Sequence, residues 1–249
     1  MNPEPNAVLI IGSTSSVGQS LAAEYGRRGW RLILASRDRD FQAEEAADLR
    51  IRYVVEVEEY SYNAEDPFSA KSLANALRTR MFPKKVFILI GDPGNPEQDL
   101  NDAIAAIRVT QVNYVGATAL VAEMLVQIEE HRGTQIILIG SIAGIRGRAS
   151  NPLYCAAKAA LEVFAQGLRQ RLYRRGVGVL LVRLGYVDSR MSYGLTAPFL
   201  TLSPGKAARQ IIHAAEAGRD VVFIPNWWLP AMLTLRLIPE WLWKRLPPF

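Results

Sequence analysis

The chain has 249 residues, 49% of them hydrophobic, and a formal charge of +5, a size that suits one α/β domain with a large buried core. Its single cysteine, Cys155, excludes an intrachain disulfide framework and a cysteine-rich metal site, and two lone histidines, His131 and His213, make no metal site either. The positive charge fits an acidic partner, yet the arginines are scattered and no zinc-finger, RNA-reading or basic-zipper pattern is present, so nucleic acid is not expected.

Ala7–Ile11 reads as the first strand. It is followed by Gly12-Ser13-Thr14-Ser15-Ser16-Val17-Gly18, which runs into a helical pattern. A turn of small residues lets backbone approach a pyrophosphate, and the helix N-terminus adds N–H groups and partial positive charge. Arg31–Ala35 forms the second strand and ends at Ser36 and Arg37. A hydroxyl and a cation stand where an acidic side chain would hold the ribose hydroxyls of NAD. They fit a 2′-phosphate and point to NADP(H), against the alternative of a solvated strand-end arginine.

Further strands are expected at Tyr53–Val57, Val86–Ile90, Gln135–Ile139, Gly178–Leu184 and Val221–Ile224. Short runs apolar on both faces, alternating with helices, predict a doubly wound parallel sheet of Rossmann type in a single domain. A helix over 152–175 places Tyr154 and Lys158 at i and i+4 on one face. Two charges ~5 Å apart at an effective dielectric of ~20 interact by roughly 3 kcal/mol, so a lysine there would lower the tyrosine pKa by about two units. Tyr154 would then serve as a general acid.

Beyond the sixth strand, 185–203 is an apolar loop carrying Tyr186, Met191, Tyr193, Leu195, Phe199 and Leu200. It suits a lid over a lipophilic substrate as well as ordinary packing. Ser203-Pro204 is a helix start signal. Residues 226–249 mix Trp227, Trp228, Trp241 and Trp243 with leucines and with Arg236, Lys244 and Arg245. Rings and cations of this kind suit a bilayer headgroup region, and equally a segment that covers the core or a subunit contact. Within 226–249, Pro230, Pro239, Pro247 and Pro248 together with the charges leave no uninterrupted apolar stretch long enough to span a bilayer. No signal peptide precedes the first strand, so a cytoplasmic protein is expected, peripheral on the inner face of the membrane if the tail binds lipid.

These motifs, in this order and spacing, resemble the short-chain dehydrogenase/reductase family over residues 7–225: the glycine turn, Asn113-Tyr114-Val115-Gly116 in the fourth helix, Ser141 after the fifth strand, and Tyr154 with Lys158. The resemblance implies that Ser141 hydrogen-bonds the substrate oxygen and Tyr154 transfers the proton. Lys158 would hold the nicotinamide ribose, and Asn113 would anchor a proton-relay water. It also implies cofactor contacts from Asn63, Gly91, Asp92, Val187 and Ser189, and a homodimer or homotetramer. Ser16 replaces the middle glycine of the turn, and Gly91-Asp92-Pro93-Gly94 replaces an Asn-Asn-Ala-Gly run.

Within the family, the form Thr14-Ser15-x-Val17-Gly18, Arg148-x-Ser150-Asn151, Arg190-Met191-Ser192 and the ending Ile238-Pro239…Lys244-Arg245-Leu246-Pro247 resemble reductases of polyprenyl-phosphate-linked keto-pentoses. Three functions follow as expectations: NADPH-dependent reduction of a lipid-linked keto-sugar, a soluble ketoreductase for another lipid or ketone, and a non-catalytic NADP(H)-binding regulator.

Overall fold

In the computed structural model, residues 6–78, 82–189 and 200–247 are described. Seven strands form one parallel sheet in the order β3-β2-β1-β4-β5-β6-β7. They are β1 (Ala7–Ile11), β2 (Arg31–Ser36), β3 (Val57–Ser61), β4 (Lys85–Ile88), β5 (Gln135–Ser141), β6 (Gly178–Leu184) and β7 (Val221–Ile224). The order in which strands are added along the sheet reverses between β1 and β4, and the chain leaves both at their C-terminal ends. That is where doubly wound sheets open a ligand crevice.

Alternate residues of the central strands face opposite layers. Leu9, Ile11, Ile88, Ile136 and Leu138 pack beneath α3 (Pro67–Leu77), α6 (Gly116–Glu130) and α7 (Pro152–Tyr173). Val8, Ile10, Leu34, Phe87 and Ile137 pack beneath α1 (Ser16–Arg27), α2 (Arg39–Tyr53) and α8 (Pro204–Glu216). A short α4 (Pro96–Asp99) and α5 (Ala103–Thr110) lead into a π-helical turn, Gln111–Val115, continuous with α6. The turn is marked by the bond from Gly116 N–H to the Gln111 carbonyl. Such turns concentrate at functional sites, and this one contains Asn113.

The third strand is displaced from its expected place. Tyr53 closes α2, and Val54 adopts a left-handed conformation, φ 55°, that ends the helix. The strand begins at Val57 and runs through Glu58, Glu59 and Tyr60. As an edge strand it buries one face only, so the apolar Val54-Val55 pair drew the expectation four residues early. α8 starts at Pro204 as expected, although the Ser203 side chain makes no cap hydrogen bond.

The tail forms α9 (Trp228–Leu237) and α10 (Glu240–Trp243). Met232, Trp228, Ala231 and Leu235 pack against Ile142, Ile145, Tyr186 and Phe223. Arg146 acts as the bolt: its Nη1 donates to the Leu235 carbonyl at 2.8 Å, also to that of Ile238, and its Nη2 meets Glu240 at 3.1 Å. Its guanidinium lies 4.3 Å from the Trp243 ring centroid, whose Nε1 donates to the Gly147 carbonyl. The packing alternative is therefore realised on one face of the tail. On the other, Leu229, Leu233 and Leu237 remain exposed in a row at helical spacing, with Trp227 and Trp241.

Candidate active site

The turn after β1 is held open by its own residues. Gly12 has φ +83°, and a Cβ there would lie 2.7 Å from the Leu89 carbonyl oxygen. A Cβ on Gly18 would lie 2.5 Å from the Gly12 oxygen, so a larger residue would push the helix off the turn. Ser15 caps α1, donating to the Gly12 carbonyl at 2.7 Å and accepting from Gly18 N–H at 3.1 Å. The N–H groups of Ser16 and Val17 have no acceptor within the helix, and Ser13 Oγ is buried without a hydrogen-bond partner. Close backbone, free helix N–H groups and an orphaned hydroxyl fit a dinucleotide pyrophosphate. Ser16, at the first helical position, needs no glycine freedom there.

At the end of β2, Ser36 is buried and donates to the Asp38 carbonyl. Arg37 is exposed and pairs with Glu65 at 3.3 Å, while Arg108 bridges Glu65 at 3.2 Å and Asp92 at 2.8 Å. Asn63, beyond β3, directs Oδ1 to Glu65 N–H in a local turn. Two cations thus flank this end of the crevice.

Three side chains converge on the segment after β4. Asn113, fully buried, donates from Nδ2 to the Asp92 carbonyl at 2.6 Å and to the Val109 carbonyl at 2.9 Å, and accepts from Asp92 N–H at 3.1 Å. Lys158 donates to the Ile90 carbonyl at 3.0 Å. Asn151 donates to the Pro93 carbonyl at 2.7 Å and caps α7 by accepting from Tyr154 N–H at 3.2 Å. The substituted Gly91–Gly94 run is therefore a hub binding two helices to the sheet. Both amide hydrogens of Asn113 are engaged, so a water on this side chain has only an Oδ1 lone pair to meet.

Ser141 ends β5, and its Oγ accepts from Ala143 N–H and pairs with the Tyr154 phenol. Lys158 Nζ is 5.6 Å from the Tyr154 ring centroid. Ser141, Tyr154, Lys158 and Asn113 thus lie together at one end of the sheet. The expected sign of the tyrosine shift is reversed, however. Burial raises the Tyr154 pKa, and the bond with Ser141 and the charge of Arg148 offset only part of that. Lys158 is itself buried, which lowers its pKa to about 8. Its ammonium donates a hydrogen bond to the Ile90 carbonyl. At neutral pH the phenol is protonated, the form a proton donor needs.

Val187 and Ser189 follow β6, where Val187 bridges Leu202 and is buried. Gly185 lies under Trp228: a Cβ there would be 2.2 Å from the indole nitrogen. Residues 190–199 of the expected apolar loop, with Arg190-Met191-Ser192, Tyr193, Leu195 and Phe199, lie outside the described residues. Asn151 and Arg148, read from sequence only as part of a resemblance, and Ile90, not singled out there, all contact this group of side chains. An Asn-Pro pair at a helix start signals the first. The other two act through a carbonyl and through an environment that only tertiary structure creates.

A family model for short chain dehydrogenases matches residues 6–198. An uncharacterized oxidoreductase of Mycobacterium tuberculosis is 32% identical over 241 residues, 96% of each chain. A short-chain dehydrogenase from Sphingobium yanoikuyae, solved in complex with NADPH, superimposes with a TM-score of 0.82 at 22% identity, covering 97% of this chain and 96% of that one. The bulky-bulky ketone specific alcohol dehydrogenase from Comamonas testosteroni gives 0.81 at 20% identity, covering 97% and 95%.

Proposed function

The chain belongs to the short-chain dehydrogenase/reductase family, and from that membership we propose that it uses NADPH to reduce a keto group on a lipophilic, polyprenyl-phosphate-linked sugar. Bound NADPH supplies the hydride. Gly12–Gly18 takes the pyrophosphate on backbone N–H groups, and Ser36 with Arg37 takes the 2′-phosphate. Lys158 has two donors left beyond its bond to Ile90 and holds the nicotinamide ribose. Asn63, Gly91, Asp92, Val187 and Ser189 complete the cofactor contacts. Ser141 donates to the substrate oxygen and Tyr154 delivers the proton as that oxygen gains charge. Asn113 fixes the segment on which Lys158 depends.

The observation that carries the lipid-linked substrate is the tail. Trp228 sits on Gly185 beside Tyr186, and the exposed Leu229, Leu233 and Leu237 row runs outward from there. An exposed apolar row beside the cleft supports delivery of a substrate from a membrane surface to a cytoplasmic enzyme. The likeness to decaprenylphosphoryl-2-keto-ribose reductase in Thr14–Gly18 and Arg148–Asn151 supports the keto-pentose. Exposed Ile104, Ile107 and Val126 on α5–α6 and Val163 on α7 support a homodimer or homotetramer. NADPH oxidation against lipid-linked keto-sugars and short water-soluble ketones tests the reading. Preference for the former supports it, and equal activity favours a soluble ketoreductase.

A further inference from the structure

At the substrate end of the cleft, three arginines among the described residues differ in how their charge is met. Arg146 is occupied by tail carbonyls and Glu240. Arg183 is held by both oxygens of Glu162, at 2.9 and 2.7 Å. Arg148, between Ser141 and Tyr154 in sequence, has no carboxylate partner among the described residues. Its Nε is buried and unpartnered, its Nη1 is 3.5 Å from the Tyr186 hydroxyl, and it touches the Cys155 side chain. Arg148 is half-buried, and withdrawing part of a guanidinium from water with no counter-anion is unfavourable. A thiol and a phenol do not neutralise it.

We propose that Arg148 receives a phosphate group carried by the substrate a few bonds from the carbonyl that meets Tyr154. The planar fork of a guanidinium suits phosphate oxygens. Its position beside Tyr154 on one side and Tyr186 on the other sets the phosphate against the keto carbon's neighbour rather than at a distant end of the molecule. This rests on the keto-sugar reading above and gives it a specificity-determining residue. A phosphodiester of a lipid carrier and a phosphomonoester of a free sugar present the same oxygens to it.

The test compares the wild type with Arg148→Met and Arg148→Lys in two assays. In the first, kcat/KM with NADPH is measured for a keto-pentose phosphate, a lipid-linked keto-pentose and an uncharged keto-pentose glycoside. The ratio of phosphorylated to uncharged substrate is expected to fall by about 10- to 100-fold in Arg148→Met, chiefly through KM, and to be partly restored by Arg148→Lys. Preference for the lipid-linked over the free phosphate in the wild type assigns the source. In the second, the NADPH-loaded protein is titrated with ribose 1-phosphate, a probe that needs no turnover. Binding to the wild type, weakened in Arg148→Met while NADPH affinity is kept, supports the site even if the keto-sugar is not reduced. Equal titration of both proteins, or an unchanged substrate ratio, overturns it.

Discussion

Asn113 clamps the backbone of Asp92 from both sides, donating to its carbonyl at 2.6 Å and accepting from its N–H at 3.1 Å. A π-helical turn carries the side chain to that place, and the clamp fixes the segment in which the Ile90 carbonyl holds Lys158. The geometry of the cation beside Tyr154 thus depends on an amide that need not touch the substrate.

Asn113→Asp preserves shape but sets a carboxylate against two carbonyl oxygens. It is expected to lower stability by about 2 kcal/mol, a fall in Tm of about 4–8 °C for a chain of this size, and to weaken NADPH binding. Thermal denaturation and fluorescence titration check both. A variant with wild-type Tm and cofactor affinity would show that the clamp is dispensable.

The pH dependence of stability follows from Lys158. Burial lowers its pKa from 10.5 to about 8, so between those values the folded chain binds fewer protons than the unfolded one. Stability rises with pH where the unfolded state binds more protons. Below pH 8 the ammonium is charged in both states and the burial penalty stands in full. Relative to Lys158→Met, the wild type is expected to gain up to about 3 kcal/mol between pH 8 and 10.5, read from denaturant midpoints of the pair. A flat or falling difference would contradict the buried ammonium.

The proposed 2′-phosphate contact falls to Arg37, exposed and paired with Glu65. Arg37→Ala is expected to raise the Kd for NADPH about tenfold or more while leaving that for NADH within about twofold, since only the former loses a charge-assisted hydrogen bond. Equal changes in both would place the 2′-phosphate elsewhere.

Much of this was legible in the sequence because the signals were local. Small residues between β1 and α1, the i, i+4 spacing of Tyr154 and Lys158, and apolar runs buried on both faces each fix structure over a few residues. What was not legible depends on distant partners. β3 begins at Val57 because an edge strand buries only one face, and Val54 belongs to a helix end. The sign of the Tyr154 shift depends on burial and on Lys158 facing Ile90. The tail carried two readings in sequence, and its two faces separate them: Trp228 and Met232 turn inward, Leu233 and Leu237 outward.

That division gives a surface test which spares the packed face. Replacing Leu229, Leu233 and Leu237 together by Gln is expected to leave Tm and NADPH binding near wild type and to reduce co-sedimentation with anionic phospholipid vesicles by about tenfold or more, each leucine carrying roughly 1.5–3 kcal/mol of burial. Unchanged vesicle binding would remove the membrane from the account.

Tyr154 is proposed to deliver the proton in NADPH-dependent reduction of a lipid-linked keto-sugar. Single-turnover NADPH oxidation with a polyprenyl-phosphoryl keto-pentose, followed in the wild type and in Tyr154→Phe, tests it most directly. The account expects the wild type to oxidise one NADPH per alcohol formed, and Tyr154→Phe to lose about 10²–10⁴-fold in rate with NADPH affinity nearly intact. A wild type that leaves this substrate unreduced, or a phenylalanine variant that reduces it at the wild-type rate, would contradict it.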